Sequence, residues 1–182
     1  MRSDFNLSAT GKAGGVVSRL DINIRRLKAQ RACLNQAAAA IRELPGPVFE
    51  LGLGNGRTYD HLREILPGRE IFVFDREVAA HPDCIPDQAH LFCGDFKDTL
   101  PAAAERFAGQ VALVHADFGS ANPARDARKA AFIAEYLPTI LRPGGLVAAD
   151  RDVAFVPGEA LALPKDVAPG VYFLYRRADD GR

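Results

Sequence analysis

Short apolar runs interleaved with segments of helical periodicity constrain this chain more than any other feature. The runs VFEL (48–51), IFVF (71–74), HLFC (90–93), VALVHA (111–116) and GLVAA (145–149) are too short for helices. They are apolar throughout instead of alternating, as strands covered on both faces are. Segments 57–66, 98–107 and 125–137 between them carry apolar residues at helical spacing. Successive βα units close by right-handed crossovers, so the pattern predicts an α/β fold, a doubly wound and mostly parallel sheet. A last run, VYFLYRR (171–177), follows a proline-punctuated stretch. Whether the sheet has six or seven strands is left open by that stretch.

An N-terminal helix precedes this alternation. Ser18 and Asp21 stand at capping-box spacing, with Val17 and Ile22 as the accompanying hydrophobic staple. The helix is expected to run to Leu44, where PGP (45–47) stops it. Its apolar stripe is Leu20, Ile24, Leu27, Leu34, Ala38 and Ile41, and the position skipped in that series, Arg31, falls on the same inward face. Residues 1–17 are polar and read as a flexible N-terminus, leaving 18–182 as a single domain. A chain of 182 residues buries roughly 70% of the surface its unfolded form exposes, enough for a core without staples.

Lys and Arg total 23 and balance 23 Asp and Glu, so no global charge points to nucleic acid or a membrane surface. No apolar stretch reaches the length of a signal or transmembrane segment, and the chain reads as cytoplasmic. Three cysteines cannot form a closed disulfide set. His81, Cys84, His90 and Cys93 superficially resemble a zinc clip, but His90 and Cys93 on one strand point to opposite faces. That segment is expected to be a loop followed by a buried strand cysteine, and no metal site is assigned there.

After the first strand comes GLGNG, with Gly52, Gly54 and Gly56 in the turn before a helix. In an open parallel sheet the first βα turn lies at the carboxyl ends of the strands, where ligands bind. Glycines there bend the chain through dihedrals that side chains resist and let a ligand lie against the backbone. The second strand ends in Asp75, nineteen residues after Gly56, and the third in Gly94–Asp95 with Phe96 beside it. An acid near that distance is where such folds accept the ribose hydroxyls of a nucleoside. In the dinucleotide fingerprint the third glycine would come one residue later, at Arg57, which weakens NAD.

The order acid, x, Gly, x, Gly, x, Gly in ELGLGNG (50–56) resembles the first motif of class I S-adenosylmethionine-dependent methyltransferases. The resemblance extends to Asp75 as the ribose-binding acid, GDF (94–96) at the adenine end, HADFG (115–119) on the fourth strand and LRPGGLVAAD (141–150) leading into the fifth. It is nearest to small single-domain bacterial members. It implies S-adenosyl-L-methionine as cofactor, held by Glu50, Leu51, Gly52, Gly54, Asn55, Gly56, Asp75, Arg76, Asp95 and Phe96. Glu50 would hold the glycine loop or meet the methionine amino group, and Asp95 would accept the adenine amino group. Arg31 would reach the methionine carboxylate, or else snorkel to solvent or pair with a core-edge acid.

Methyl transfer asks for alignment more than for an elaborate catalytic set. Asp117, at the fourth strand tip, is the candidate for touching the acceptor, whereas His115 inside that strand reads as a hydrogen-bonded core histidine. Asp117 and Asp150 also resemble the magnesium aspartates of catechol-type O-methyltransferases. The asparagine that should follow the second is here Arg151, whose cation opposes a metal, with Asp152 the only nearby substitute. The site is therefore read without metal. A small-molecule acceptor is expected, and a homo-oligomer is left open. The alternatives are a catalytically silent S-adenosylmethionine-binding protein and, behind it, a nicotinamide-linked oxidoreductase.

Overall fold

The computed structural model describes residues 17–120, 122–155 and 158–178. All but the last residue of the expected flexible segment 1–17 lies outside them. Helix α1 (Arg19–Ala40) begins as expected: Ser18 Oγ accepts from the Asp21 amide at 3.0 Å and donates to the Asp21 carboxylate at 2.7 Å. It ends at Ala40 and not at Leu44. The chain turns more tightly after Ala40, the amides of Arg42 and Leu44 bonding the carbonyls three residues back, and the Arg69 guanidinium caps this turn by donating to the carbonyls of Ile41, Arg42, Leu44 and Gly46 at 2.7–3.3 Å. Gly46 follows at φ +114°, where a Cβ would lie 2.0 Å from the Gln110 carbonyl oxygen.

The inward stripe on α1 holds over only half its length. Leu34, Ala38 and Ile41 are buried, whereas Leu20, Ile24 and Leu27 are exposed. Helix α1 descends from above the strand tips: Gln30 meets Asp117 at the carboxyl end of a strand, and Ile41 meets Arg69 just before another strand begins. Leu20, Ile24 and Leu27 thus stand beyond the sheet, uncovered by the other described residues. Ala29, Gln30, Cys33, Leu34, Ala37, Ala38 and Ile41 form the buried face, and Arg31 is exposed beside it.

The remaining elements are β1 (Val48–Leu51), α2 (Arg57–Ile65), β2 (Ile71–Asp75), β3 (Leu91–Cys93), α3 (Phe96–Arg106), β4 (Val111–Ala116), α4 (Pro123–Ile140), β5 (Leu141–Ala149), β6 (Gly158–Ala160) and β7 (Phe173–Arg177). They make one seven-stranded sheet in the order β3-β2-β1-β4-β5-β7-β6. Strands β1 to β5 are parallel, and β7 runs antiparallel to both β5 and β6. The count is seven because the three-residue β6 pairs Gly158 with Arg177 and Ala160 with Tyr175, although nothing in its sequence marks a strand.

Alternate residues of the strands feed two cores. Phe49, Leu51, Phe72 and Phe74 pack toward α3 and α4, while Val48, Val73, Leu113 and Ala148 pack toward α1 and α2. Several boundaries differ from the sequence pattern. His90 belongs to a 3₁₀ turn (Gln88–His90), not to β3, and Cys93 is exposed because β3 is an edge strand. Helix α3 starts at Phe96, not at residue 98, since Asp95 caps it by accepting from the Lys97 amide. Helix α4 starts earlier than residue 125, with Asn122 as cap and Pro123 at N1, and β5 reaches back to Leu141 through a register shift against β4. No helix among the described residues is long and apolar enough to cross a membrane.

Candidate active site

Register places the site residues side by side. Leu51 pairs with Phe74 on one side and Ala116 on the other, and Ala116 pairs with Ala149. One step further along lie Gly52, Asp75, Asp117 and Asp150, tied by Gly52 N–H to Phe74 O (2.8 Å), Asp117 N–H to Leu51 O (3.0 Å) and Asp150 N–H to Ala116 O (3.0 Å). Strand order reverses between β1 and β4, the switch point at which open α/β sheets bind ligands. A cleft of about 320 Å³ opens there, lined by Gly52–Asn55, Arg57 and Thr58 on one side, Asp117, Gly119, Asp150 and Arg151 on another, and Arg26, Leu27 and Gln30 of α1 across the top.

The three glycines of the turn do different work. At Gly52 (φ +102°) a Cβ would meet the Asp117 carbonyl oxygen at 2.3 Å, and at Gly56 (φ +80°) the Cys84 Cβ at 2.4 Å, so both make room for the protein's own chain. Gly54 (φ +50°) has nothing within 4 Å and presents bare backbone to the cleft. Asp75 holds the turn in place: its Oδ2 accepts from the amides of Leu53 at 2.8 Å and Gly54 at 3.1 Å. Its Oδ1 accepts from the Glu77 amide at 3.4 Å, and the residue stands behind the glycine turn, outside the cleft lining; with about four lone-pair positions, the carboxylate keeps capacity for a further donor. Asp95 and Phe96 lie at the tip of β3, outside the cleft lining, and Arg76 is exposed. Leu51 is wholly buried in its strand, and Asn55 lines the cleft. Arg31 lines a smaller adjoining cavity of about 160 Å³ with Leu27, Gln30, Leu34, Arg57, Thr58 and His61.

Glu50 faces inward with no exposed surface. One oxygen accepts from the Thr58 hydroxyl and the other lies 2.5 Å from His115 Nδ1, so both oxygens have partners. Glu50 thereby ties β1 to the first turn of α2 across the glycine loop. Burial alone would push the His115 imidazole down, but the Glu50 carboxylate, with Asp117 and Asp150 beyond it, raises its pKa above the ordinary value. His115 Nε2 lies 2.5 Å from the Tyr172 hydroxyl, and burial holds that phenol well above its usual range.

Asp117 is the cleft's half-exposed carboxylate. Arg26 donates to both its oxygens at 3.2 and 3.3 Å and Gln30 to Oδ2 at 2.7 Å. Asp150 is buried, pushed up to about 6 by desolvation and then by Asp117, with Arg151 and the Phe118 and Gly119 amides acting the other way. Those amides donate to its two oxygens at 3.3 and 3.1 Å, and Arg151 Nη1 lies 3.2 Å from Oδ2. Asp126, buried, fixes the loop after β4 by accepting from the amide and hydroxyl of Ser120 at 2.7 and 2.6 Å.

Arg26, Gln30, Thr58 and Asp126 were not singled out from the sequence. No spacing marks them, because their partners lie on other elements: Gln30 and Asp117 are 87 positions apart. His115, by contrast, is the hydrogen-bonded core histidine its strand position suggested. The paired His and Cys positions also have local partners, His81 with the Asp83 amide and His90 with Asp87.

A family model described as S-adenosyl-L-methionine methyltransferase matches residues 17–177. The crystal structure of an S-adenosyl-L-methionine methyl transferase from Silicibacter pomeroyi DSS-3 is similar over 90% of this chain and 100% of its own, with 48% identity and a TM-score of 0.85. MycE methyltransferase from the mycinamycin biosynthetic pathway, in complex with Mg, SAH and mycinamycin VI, is similar over 89% of this chain and 49% of its own. At 13% identity and a TM-score of 0.54 it shares the fold alone. No curated protein sequence matches the chain.

Proposed function

Because the chain belongs to the S-adenosyl-L-methionine methyltransferase family, we infer that the cleft at the β1–β4 switch point holds the methionine end of S-adenosyl-L-methionine and, beside it, a small-molecule acceptor. The family fixes the cofactor and the reaction class; the site supports the small-molecule acceptor. What carries the reading is the bare backbone of Gly54 facing a cleft whose far wall is an oriented carboxylate, Asp117. The volume, about 320 Å³, falls within the roughly 300–1,000 Å³ of small-molecule sites.

The residues present fit the cofactor. Gly54 lets the ligand lie against the main chain, Asp75 retains acceptor capacity for ribose hydroxyls, and Asp95 stands at the next strand tip for the adenine amino group. The bound sulfonium supplies an electrophilic methyl group with a good leaving group already attached. The protein's own task is then to orient and to exclude water. Arg26 and Gln30 fix the Asp117 carboxylate so that it accepts a hydrogen bond, or the departing proton, from the acceptor's nucleophilic atom. Helix α1 forms the roof over that atom, and Arg31 lies one cavity further out for the methionine carboxylate.

The reading includes a single functional domain in residues 18–182, a cytoplasmic setting and transfer without a divalent metal. Support for the last is electrostatic: Arg26 and Arg151 stand within 3.2 Å of Asp117 and Asp150, and two guanidinium cations oppose a third positive charge there. Titrating magnesium into protein saturated with S-adenosylhomocysteine should give no micromolar binding; binding that disappears in Asp117→Asn would overturn this. The function itself is tested by mass spectrometry of the purified protein followed by turnover against a panel of small metabolites. Co-purified S-adenosylmethionine or S-adenosylhomocysteine and a product heavier by one methyl are expected. Co-purified NAD, with no methylated product from any acceptor, would contradict it.

A further inference from the structure

Arg151 stands between two buried carboxylates whose oxygens already have hydrogen-bond donors without it. Asp150 accepts at its two oxygens from the Phe118 and Gly119 amides, and Asp126 at its two from the Ser120 amide and hydroxyl. The pair instead fixes the guanidinium. Nε lies 3.6 Å from Asp126 Oδ2, while Nη1 lies 3.2 Å from Asp150 Oδ2 and donates to the Asp150 carbonyl at 2.9 Å. Gly119 makes the seat: a Cβ there would lie 2.2 Å from Asp150 Oδ2, 2.5 Å from Arg151 Nη2 and 2.7 Å from its Cζ. The remaining nitrogen, Nη2, donates no hydrogen bond among the described residues, and the side chain lines the cleft at 42% exposure.

We propose that Arg151 recognises the acceptor and that the acceptor is an anion, carrying a carboxylate or phosphate beside the atom to be methylated. A guanidinium held on one side and open on the other offers such a group charge-assisted hydrogen bonds from Nη2, while Asp117 accepts from the nucleophilic atom. Because Asp126 and Asp150 fix the guanidinium, an anion bound to it arrives in a set orientation. The charge of the cleft favours the same class of acceptor. Arg26, Arg57 and Arg151 line it against Asp117 and Asp150, and S-adenosylmethionine brings a sulfonium and an ammonium against one carboxylate. An anionic acceptor offsets that excess of positive charge, and a cationic one adds to it.

This rests on the cofactor reading above, and the test separates the two. S-adenosylhomocysteine is titrated first, and its saturation also fills the methionine carboxylate position. Acetate, benzoate and methyl phosphate are then titrated at matched ionic strength and followed by NMR, with acetamide and benzamide as uncharged counterparts. The parent should bind at least one anion about tenfold tighter than the amides, and methyl phosphate against the carboxylates tells which anion the site takes. Arg151→Gln should bring that ratio to within about twofold of unity. Gly119→Ala keeps every charge but pushes the guanidinium off its seat, and it folds because the atoms in the way are side-chain ends; it should lose the preference too. Arg57→Gln removes an equal charge from the same cleft and should keep most of it. A parent that binds S-adenosylhomocysteine but prefers no anion overturns the proposal alone. So does a preference that survives in folded Arg151→Gln or Gly119→Ala, or one that Arg57→Gln abolishes as fully as Arg151→Gln. A parent that binds no S-adenosylhomocysteine overturns the cofactor reading and this one with it.

Discussion

Asp75 is asked to do two things, and substitutions separate them. Its Oδ2 accepts from the Leu53 and Gly54 amides at 2.8 and 3.1 Å and its Oδ1 from the Glu77 amide at 3.4 Å, and the proposed function gives its remaining acceptor capacity to the ribose hydroxyls. Leu53 is 2% exposed, so removing its acceptor leaves a buried donor unsatisfied, a loss of about 2 kcal/mol. The exposed Gly54 amide turns to water at little cost. Asp75→Ala should therefore lower the melting temperature by about 4–8 °C for a domain of this size. It should also weaken S-adenosylhomocysteine binding by about 3 kcal/mol, roughly a hundredfold, through two lost charge-assisted bonds. Asp75→Asn keeps one oxygen for the two amides but no charge, so its melting temperature should stay near that of the parent while affinity falls about tenfold. Melting curves and calorimetry on the same preparations read both effects. Parent-like affinity in Asp75→Ala would refute the ribose assignment, and a parent-like melting temperature would refute the loop-anchoring argument.

Gly52 and Gly54 make a second contrast: Gly52→Ala drives a methyl to 2.3 Å from the Asp117 carbonyl and should be destabilised by more than about 3 kcal/mol. Gly54→Ala has open space around it and should fold within about 2 kcal/mol of the parent, since the left-handed backbone costs about 1–2 kcal/mol, yet lose cofactor affinity by about tenfold or more; the reverse ranking in urea melts would contradict the packing argument. Asp150 makes stability depend on pH. Its folded pKa is raised from 3.8 to about 6, so the folded state retains a proton that the unfolded chain gives up, and stability falls as pH rises through that window, by up to about 3 kcal/mol. The parent-minus-Asp150→Asn difference in unfolding free energy should therefore decline across that range and be flat above about pH 7; a difference that rises with pH would show the sign to be wrong.

The strand–helix alternation was legible because each strand is covered on both faces and so is apolar throughout, and β1 and β4 match their apolar runs to the residue. The strand-tip residues were legible for a related reason: Gly52, Asp75, Asp117 and Asp150 each end an apolar run, and the parallel register then sets them side by side. Strand β6 was not legible, because a three-residue edge strand is defined by its partner β7 and not by its own pattern. The exposure of Leu20, Ile24 and Leu27 was hidden as well, since periodicity shows which residues share a helix face but not how far that helix overhangs the sheet. Glu50 was visible as the acid before the glycines. Its pairing with His115, 65 positions away, depends on β1 lying beside β4.

The central claim is that the cleft at the strand tips recognises the S-adenosyl group, and competition calorimetry with S-adenosylhomocysteine and NAD under matched conditions tests it most directly. The bare Gly54 backbone, the Asp75 carboxylate and the absence of a glycine at Arg57 predict clear binding of S-adenosylhomocysteine and none of NAD. Tighter binding of NAD than of S-adenosylhomocysteine would contradict the account.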